Sequence, residues 1–327
     1  MGIKDANPSI TWGGLLSTTV MNYLDSGMLR DQVHKRSAFW NWMTSGNRIK
    51  MLSGGERIKV PVMYEGSGNF KRYSGDEVLD PSGYDGQTTA FFDFKQAATT
   101  VVISGLEKRS NQGESRIRDL AKDRMFQAEA TLADNLATDA YSDGTANGSK
   151  QITGLEAMVA STTTSGTYAD INFCNNDKWR NNHIGSVGNA AANLLPNLRT
   201  LYNDCTEIAG VEGEPDAIFT TQTMAETLEA LIVPAIRYTP GGEGDLSIKP
   251  RFRAADIYFE SKCPSGTLYV LNSNHIFIFV HRDAYFSMGP DGMQSPVNQD
   301  SFLAPILFQG NMGCNLRSSL GKLTGLT

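Results

Sequence analysis

Between Arg57 and Tyr64 apolar and polar positions alternate, with Ile58, Val60 and Val62 on one face and Arg57, Lys59 and Pro61 on the other. This period of two predicts a half-buried strand, and Pro61, which has no backbone donor, places it at an edge or in an exposed ribbon. A second β-rich run, Thr89 to Ile103, carries Phe92 and Phe94 around Asp93 and then Thr99-Thr100-Val101-Val102-Ile103. The two runs are expected to pair as a hairpin arm. The connection between them, Glu65 to Thr88, has 24 residues, five of them glycine, and carries Lys71, Arg72, Asp76, Glu77 and Asp80. A hairpin closing on its own domain needs a far shorter loop, so this one is expected to reach toward another surface.

The pattern then changes period. Ile117, Ala121, Met125, Ala128, Leu132 and Leu136 recur every three or four positions, and no Gly or Pro interrupts Glu114 to Tyr141. That predicts a helical rod of roughly 40 Å, opened by Asn111 and Glu114 in the spacing of a capping box. Its basic residues, Arg116, Arg118, Lys122 and Arg124, precede its acids, Glu129, Asp134 and Asp139. The order opposes the helix dipole, which leaves tertiary or partner contacts to set it. A turn-rich break follows at Ser142 to Ser149, then a short element from Ile152 to Val159. Further on, the patterns predict a helix from Ala190 to Asp204 started or kinked by Pro196, a strand from Pro215 to Phe219, and a helix from Thr223 to about Arg237. The remainder reads as strands: Ala255 to Glu260, Thr267 to Asn272, Ile276 to Val280, Ala284 to Met288, Phe302 to Phe308 and Met312 to Leu316. The class expected is α+β.

Composition narrows the functions. With 327 residues, 40% hydrophobic and 20% charged, the chain can bury a core. Its net charge of −6 lacks the broad cationic field of a dedicated nucleic-acid binder. The charge is uneven: the first 50 residues hold six Lys or Arg against three Asp, so this segment is +3 and the remainder −9. The same segment holds Trp12, Trp40 and Trp42 beside Phe39, aromatic weight that suits either docking on another surface or a first helix covering its own core. Cys174, Cys205, Cys263 and Cys314 are too widely spaced for a metal knuckle or redox pair and are expected to be free thiols. No run approaches the ~20 apolar residues of a membrane span, and no targeting signal is visible, so a cytoplasmic chain is expected.

Catalytic patterns are scarce. Gly321-Lys322 has Leu323 where a phosphate loop needs Ser or Thr, and Gly66-Ser67-Gly68 lacks the third glycine of a dinucleotide turn. His275 and His281 lie too far apart along a strand to share an ion, and His34 and His183 have no local partner. Asp76 and Glu77 are adjacent but sit in a solvated loop. No catalytic, cofactor-binding or metal-binding residue is expected.

The layout of an exposed β arm with a long charged tip, leading into an uninterrupted helix and then Gly154-Leu155-Glu156-Ala157-Met158-Val159, resembles the major capsid proteins of tailed bacteriophages, the Hong Kong 97-type fold. The closing run, Ile306 to Asn311 and Leu320 to Leu326, is similar to the final strand and tail of that family. The resemblance implies an N-terminal arm (1–50), an extended hairpin or E-loop (51–106), a P-domain with a spine helix (107–148), an A-domain (149–290) and a return to the P-domain (291–327). It implies a structural subunit that assembles with itself into hexamers and pentamers of an icosahedral shell around double-stranded DNA, contacted non-specifically. It further implies residence in the virion capsid after assembly in the host cytoplasm. Partners implied are a separate scaffolding protein, a portal and a decoration protein, with no membrane. Inter-subunit contacts are expected at Trp40, Trp42, Lys71, Arg72, Asp76, Glu77, Arg116 and Arg118. Lys71 and Asn298 lie in regions comparable to those some family members join covalently, but non-covalent contacts are expected here. The competing readings are an encapsulin-type nanocompartment shell, an enzyme with a non-standard site, and a tail or surface β protein, against which the long helix counts.

Overall fold

The computed structural model describes residues 37–46, 48–83, 85–110, 114–209, 213–236, 251–288 and 294–327. The elements begin with helix α1 (Ala38–Ser45), strands β1 (Ile49–Leu52), β2 (Arg57–Met63), β3 (Gln87–Asp93) and β4 (Lys95–Ser104), and helices α2 (Gly105–Ser110) and α3 (Glu114–Asp139). Strands β5 (Thr167–Tyr168), β6 (Ile171–Asn172) and β7 (Asn182–Ile184), helix α4 (Ala190–Ala209), strand β8 (Ala217–Thr220) and helix α5 (Gln222–Ile236) follow. The chain closes with β9 (Arg251–Phe252), β10 (Ala255–Phe259), β11 (Leu268–Leu271), β12 (Ile276–Met288), β13 (Ser301–Cys314) and β14 (Gly321–Leu323). It divides into two compact units: Met1–Gly54 with Lys95–Thr153 and Ile278–Asn311, and Gly55–Phe94 with Gly154–Phe277 and Met312–Thr327.

The first unit is built on a four-stranded sheet in the order β1-β12-β13-β4. β4 runs antiparallel to β13 from Ser104 opposite Ser301 to Lys95 opposite Gly310. Val101 and Ile103 are buried on β4, as are Ala304, Ile306 and Phe308 on β13, and α3 packs on β4. The apolar stripe of α3 is buried as its period requires: Met125, Ala128, Leu132 and Leu136 are all core residues. Asn111, the expected cap, lies outside the described residues, but α2 has a cap of its own. The Glu107 backbone N–H donates to Ser104 Oγ at 3.2 Å, and the Ser104 N–H donates to the Glu107 carboxylate at 3.2 Å, the reciprocal pair of a capping box.

Two strand expectations are corrected here. The Thr99 to Ile103 block does not pair with Arg57 to Tyr64; its edge is taken by β13. The four late strands 276–280, 284–288, 302–308 and 312–316 are two long ones, β12 and β13. Arg282-Asp283 resembles a turn only because both side chains are exposed, and Gly310 is present for closeness, not for turning. A Cβ at Gly310 would stand 2.5 Å from the Phe279 carbonyl oxygen, so only glycine lets these backbones approach.

The second unit holds a six-stranded mixed sheet, β7-β14-β11-β8-β10-β9. β8 and β11 are buried along their whole lengths, and Leu194, Leu198 and Leu201 of α4 join Ile218, Leu228 and Val270 in one core cluster. Pro196 sits inside α4, which runs on to Ala209. Thr223 lies inside α5 and does not open it; the helix starts one residue earlier, at Gln222. Among the described residues no helix is long and apolar enough to cross a membrane.

Candidate assembly site

The hairpin arm belongs to the second unit and is made by β2 and β3, with Arg57 opposite Asp93 and Met63 opposite Gln87. The alternation in β2 works as expected: Ile58 and Val60 are buried, while Lys59 and Pro61 are exposed. The Tyr64 N–H extends the ladder to the Gly86 carbonyl at 3.0 Å. Its base is pinned to the segment around β5. Arg57 reaches Asp93 at 2.6 Å and Asp170 at 2.5 Å, and hydrogen bonds to Asp170 first, then Asp93, hold its guanidinium pKa above the ordinary value. The Phe91 N–H donates to the Ala169 carbonyl at 3.0 Å, and the Phe92 ring meets Tyr168 edge-on at 5.7 Å. Ala169 and Asp170 both take positive φ, 54° and 63°, which turns β5 back into β6 beside the hairpin.

Beyond the ladder the tip organises itself. Lys71 pairs with Glu77 at 2.9 Å and donates to the Val78 carbonyl at 3.3 Å. Asp80 accepts from the hydroxyl and the backbone N–H of Ser82, which lowers its carboxyl pKa. The charges chosen from the sequence are thus divided: Lys71 and Glu77 neutralise each other within one loop, while Asp76 is exposed and Arg72 lies 5.4 Å over the Phe70 ring. The signal that charge reading missed is apolar. Phe70, Tyr73, Val78 and Leu79 are all exposed large hydrophobics, with Phe70 at 76% and Val78 at 85% of full exposure. Apolar residues in a Gly-rich loop with no period to assign them to a core were visible in the sequence. Such a patch marks a contact surface.

Trp40 and Trp42 require a correction: they are 2% and 5% exposed, inside the first unit. Ser37 caps α1, accepting from the Trp40 N–H at 3.4 Å, and the helix turns its aromatic face inward. Phe39 stands 6.3 Å from Trp40, 6.2 Å from Trp42 and 5.7 Å from Tyr141, and the Arg48 guanidinium lies 4.1 Å over Trp42. These rings are core, because enough apolar surface meets them within the chain. Trp12 lies outside the described residues. Arg116 and Arg118 lie on α3, and their side chains are outside the described residues.

Buried polar groups elsewhere in the second unit are structural. Lys322 binds Glu156 and reaches Ser161 Oγ at 3.0 Å, and the Tyr269 hydroxyl donates to Glu156 at 3.0 Å. His183 meets the Thr324 hydroxyl at 2.9 Å, and burial first, then the charge of Lys322, lowers its pKa. His275 meets the Asn315 side chain at 2.9 Å. Among the described residues no group of three His, Cys, Asp or Glu is placed to hold a metal ion.

No family model matches this sequence, and no curated protein matches it. Solved structures do. The capsid asymmetric unit of cyanophage A-1(L) superposes with a TM-score of 0.61 at 15% identity, over 86% of this chain and 91% of that one. The capsid of cyanophage P-SCSP1u gives 0.57 at 12% identity, over 84% and 85%. The capsid of the Myoviridae phage XM1 gives 0.55 at 12% identity, over 87% and 92%. The chain therefore has the fold of tailed-phage capsid proteins, a mixed α+β architecture.

Proposed function

We propose that this chain is a structural capsid subunit that assembles with itself into hexamers and pentamers of an icosahedral shell enclosing double-stranded DNA. The observation that carries the reading is the likeness to phage capsid subunits along nearly the whole chain. The exposed hairpin tip supports it physically, because a two-stranded ribbon ending in four solvated apolar side chains gains its stability from another surface. In this reading the hairpin within 51–106 is the E-loop and α3 is the spine helix of a P-domain, while the bounds expected from the sequence shift: α1 and β1 belong to the first unit and not to a loose arm, Ile278–Asn311 belongs with α3, and Met312–Thr327 belongs with the six-stranded sheet of the A-domain. Arg72 and Asp76 serve subunit contact at the tip, and Arg116 and Arg118 serve it on the spine helix. The role is structural and non-enzymatic. A scaffolding protein, a portal and a decoration protein are the expected partners, DNA is touched non-specifically, and the subunit resides in the virion capsid after assembly in the host cytoplasm. The likenesses to phage and GTA-particle capsids favour this reading over an encapsulin-type compartment.

Negative-stain microscopy of the expressed chain, with and without its scaffolding protein, tests the reading: closed shells are expected, and a chain that stays monomeric under all assembly conditions refutes it. DNA inside particles from infected cells, and not a cargo protein, is the further expected result. Replacing residues 65–85 by Asn-Gly joins Tyr64 to Gly86 in register and should preserve the fold while abolishing shells.

A further inference from the structure

Asn147-Gly148 is the one Asn-Gly pair in the 327 residues. It stands in the turn between Thr145 and Lys150 of the first unit, where Asn147, Gly148 and Ser149 take successive left-handed conformations with φ of 53°, 68° and 61°. All three are exposed, and a Cβ at Gly148 would meet nothing within 4 Å. Among the described residues the Asn147 carboxamide makes no hydrogen bond. Glycine has no side chain to shield its own peptide nitrogen from the carboxamide carbon of the residue before it. Asp143-Gly144, in the same turn region, is the opposite case. The Asp143 carboxylate accepts from the Thr145 N–H at 2.9 Å and from its hydroxyl at 2.8 Å, and a Cβ at Gly144 would stand 3.1 Å from the Thr153 backbone.

We propose that Asn147 is a site of spontaneous modification, converted through a cyclic imide with Gly148 into aspartate and isoaspartate. The Gly148 backbone nitrogen gives up its proton to hydroxide and attacks Asn147 Cγ. The N–Cγ bond forms, the Cγ–Nδ2 bond breaks, and the amide nitrogen leaves as ammonia. Water then opens the five-membered ring: attack at Cγ yields aspartate, and attack at the backbone carbonyl yields isoaspartate, whose main chain runs through Cγ. The balance is one water in and one ammonia out, with no oxidant or reductant. The native ψ of 36° at Asn147 points the Gly148 nitrogen away from Cγ, so ring closure waits on local opening of the turn. That opening is favoured because left-handed backbone is strained for a residue with a Cβ, as at Asn147 and Ser149. The bonds that tie the turn down, from the Ser149 N–H to the Thr145 carbonyl at 3.1 Å and from Lys95 to the Ser149 carbonyl at 2.7 Å, lie at the surface, where local opening is easiest. Each conversion adds one negative charge to a chain of net −6, two residues from the carbonyl that Lys95 holds. The reaction needs only this turn, so the proposal goes beyond the capsid reading and does not depend on it.

The full-length native protein, incubated at about pH 8.5 in water enriched in oxygen-18 and mapped by peptide mass spectrometry, provides the test. The peptide holding Asn147 should gain about 3 Da, about 1 Da from the exchange of NH2 for OH and about 2 Da from the labelled oxygen. It should resolve into aspartate and isoaspartate forms, and it should convert at least about tenfold faster than the peptide of any other asparagine, because no other is followed by glycine. Asn147→Gln, whose longer side chain would have to close a six-membered ring, should keep its mass over the same period. Native protein that keeps Asn147 intact, or converts it no faster than the other asparagines, overturns the proposal. Conversion in urea but not in the native chain would do so too, and would show that the folded turn protects the pair. A product that is aspartate alone would rule out the cyclic imide. None of these results bears on whether the chain forms shells, so the capsid reading stands or falls separately.

Discussion

Arg317 donates through Nε to the backbone carbonyl of Met158 at 2.6 Å, joining residues 159 positions apart. The side chain is fully buried; its other nitrogens reach the carbonyls of Ala157 at 3.2 Å and Trp179 at 3.4 Å. The guanidinium lies 4.5 Å from the Phe173 ring and 4.9 Å from Tyr168. Burial lowers its pKa, and three carbonyl dipoles with two aromatic faces replace the water it gave up.

Arg317→Met should therefore cost about 3 kcal/mol or more, because it removes the donors to two buried carbonyls, Met158 and Trp179, at about 1–3 kcal/mol each, and to the part-buried carbonyl of Ala157. Arg317→Lys should recover little of this, since an ammonium lacks the planar fork that spans the carbonyls. Urea unfolding of the subunit reads both values, and a loss under 1 kcal/mol for the methionine variant would mean the loops hold without the clamp.

Trp40→Ala and Trp42→Ala should each destabilise the subunit itself by about 3–5 kcal/mol, the range for emptying a large aromatic site in a core. Thermal melting of the monomer checks this. A variant with the wild-type melting temperature that fails only in assembly would restore these rings to an interface role.

Glu129 is 2% exposed on α3, neither carboxyl oxygen has a hydrogen-bond partner among the described residues, and burial raises its pKa from 4.5 to about 8. Between those values the folded chain keeps a proton that the unfolded chain has released. Stability should thus fall as pH rises from about 4.5 to about 8 and level off above. Glu129→Gln should remove that slope, and denaturation midpoints of the two proteins from pH 5 to 9 give the comparison. Parallel pH profiles would show that the carboxylate is solvated in solution.

Burial raises the thiols of Cys205, Cys263 and Cys314 to about 12, whereas Cys174 is exposed. At pH 8 the native subunit should react rapidly with a thiol reagent at Cys174 alone, and all four should react after denaturation. Rapid labelling of a second thiol in the native protein would indicate local opening of the core.

Local periodicity alone was enough for the long helix and for the buried face of β2, because both depend on neighbours a few residues away. It also isolated the connection from Glu65 to Thr88, whose glycines and mixed polarity cannot build a core. What periodicity does not carry is the identity of a distant partner. The Thr99 to Ile103 block has strand character wherever it pairs, and only the tertiary structure gave it β13 in place of β2. Trp40 and Trp42 suit a docking arm or a core equally well in sequence, and the packing of Phe39 and Tyr141 around them decided for the core. The same holds at the hairpin. The cavity lined by Val62, Ile171 and Trp179 brings together residues from separate segments, and a hollow exists only once those segments have folded against one another.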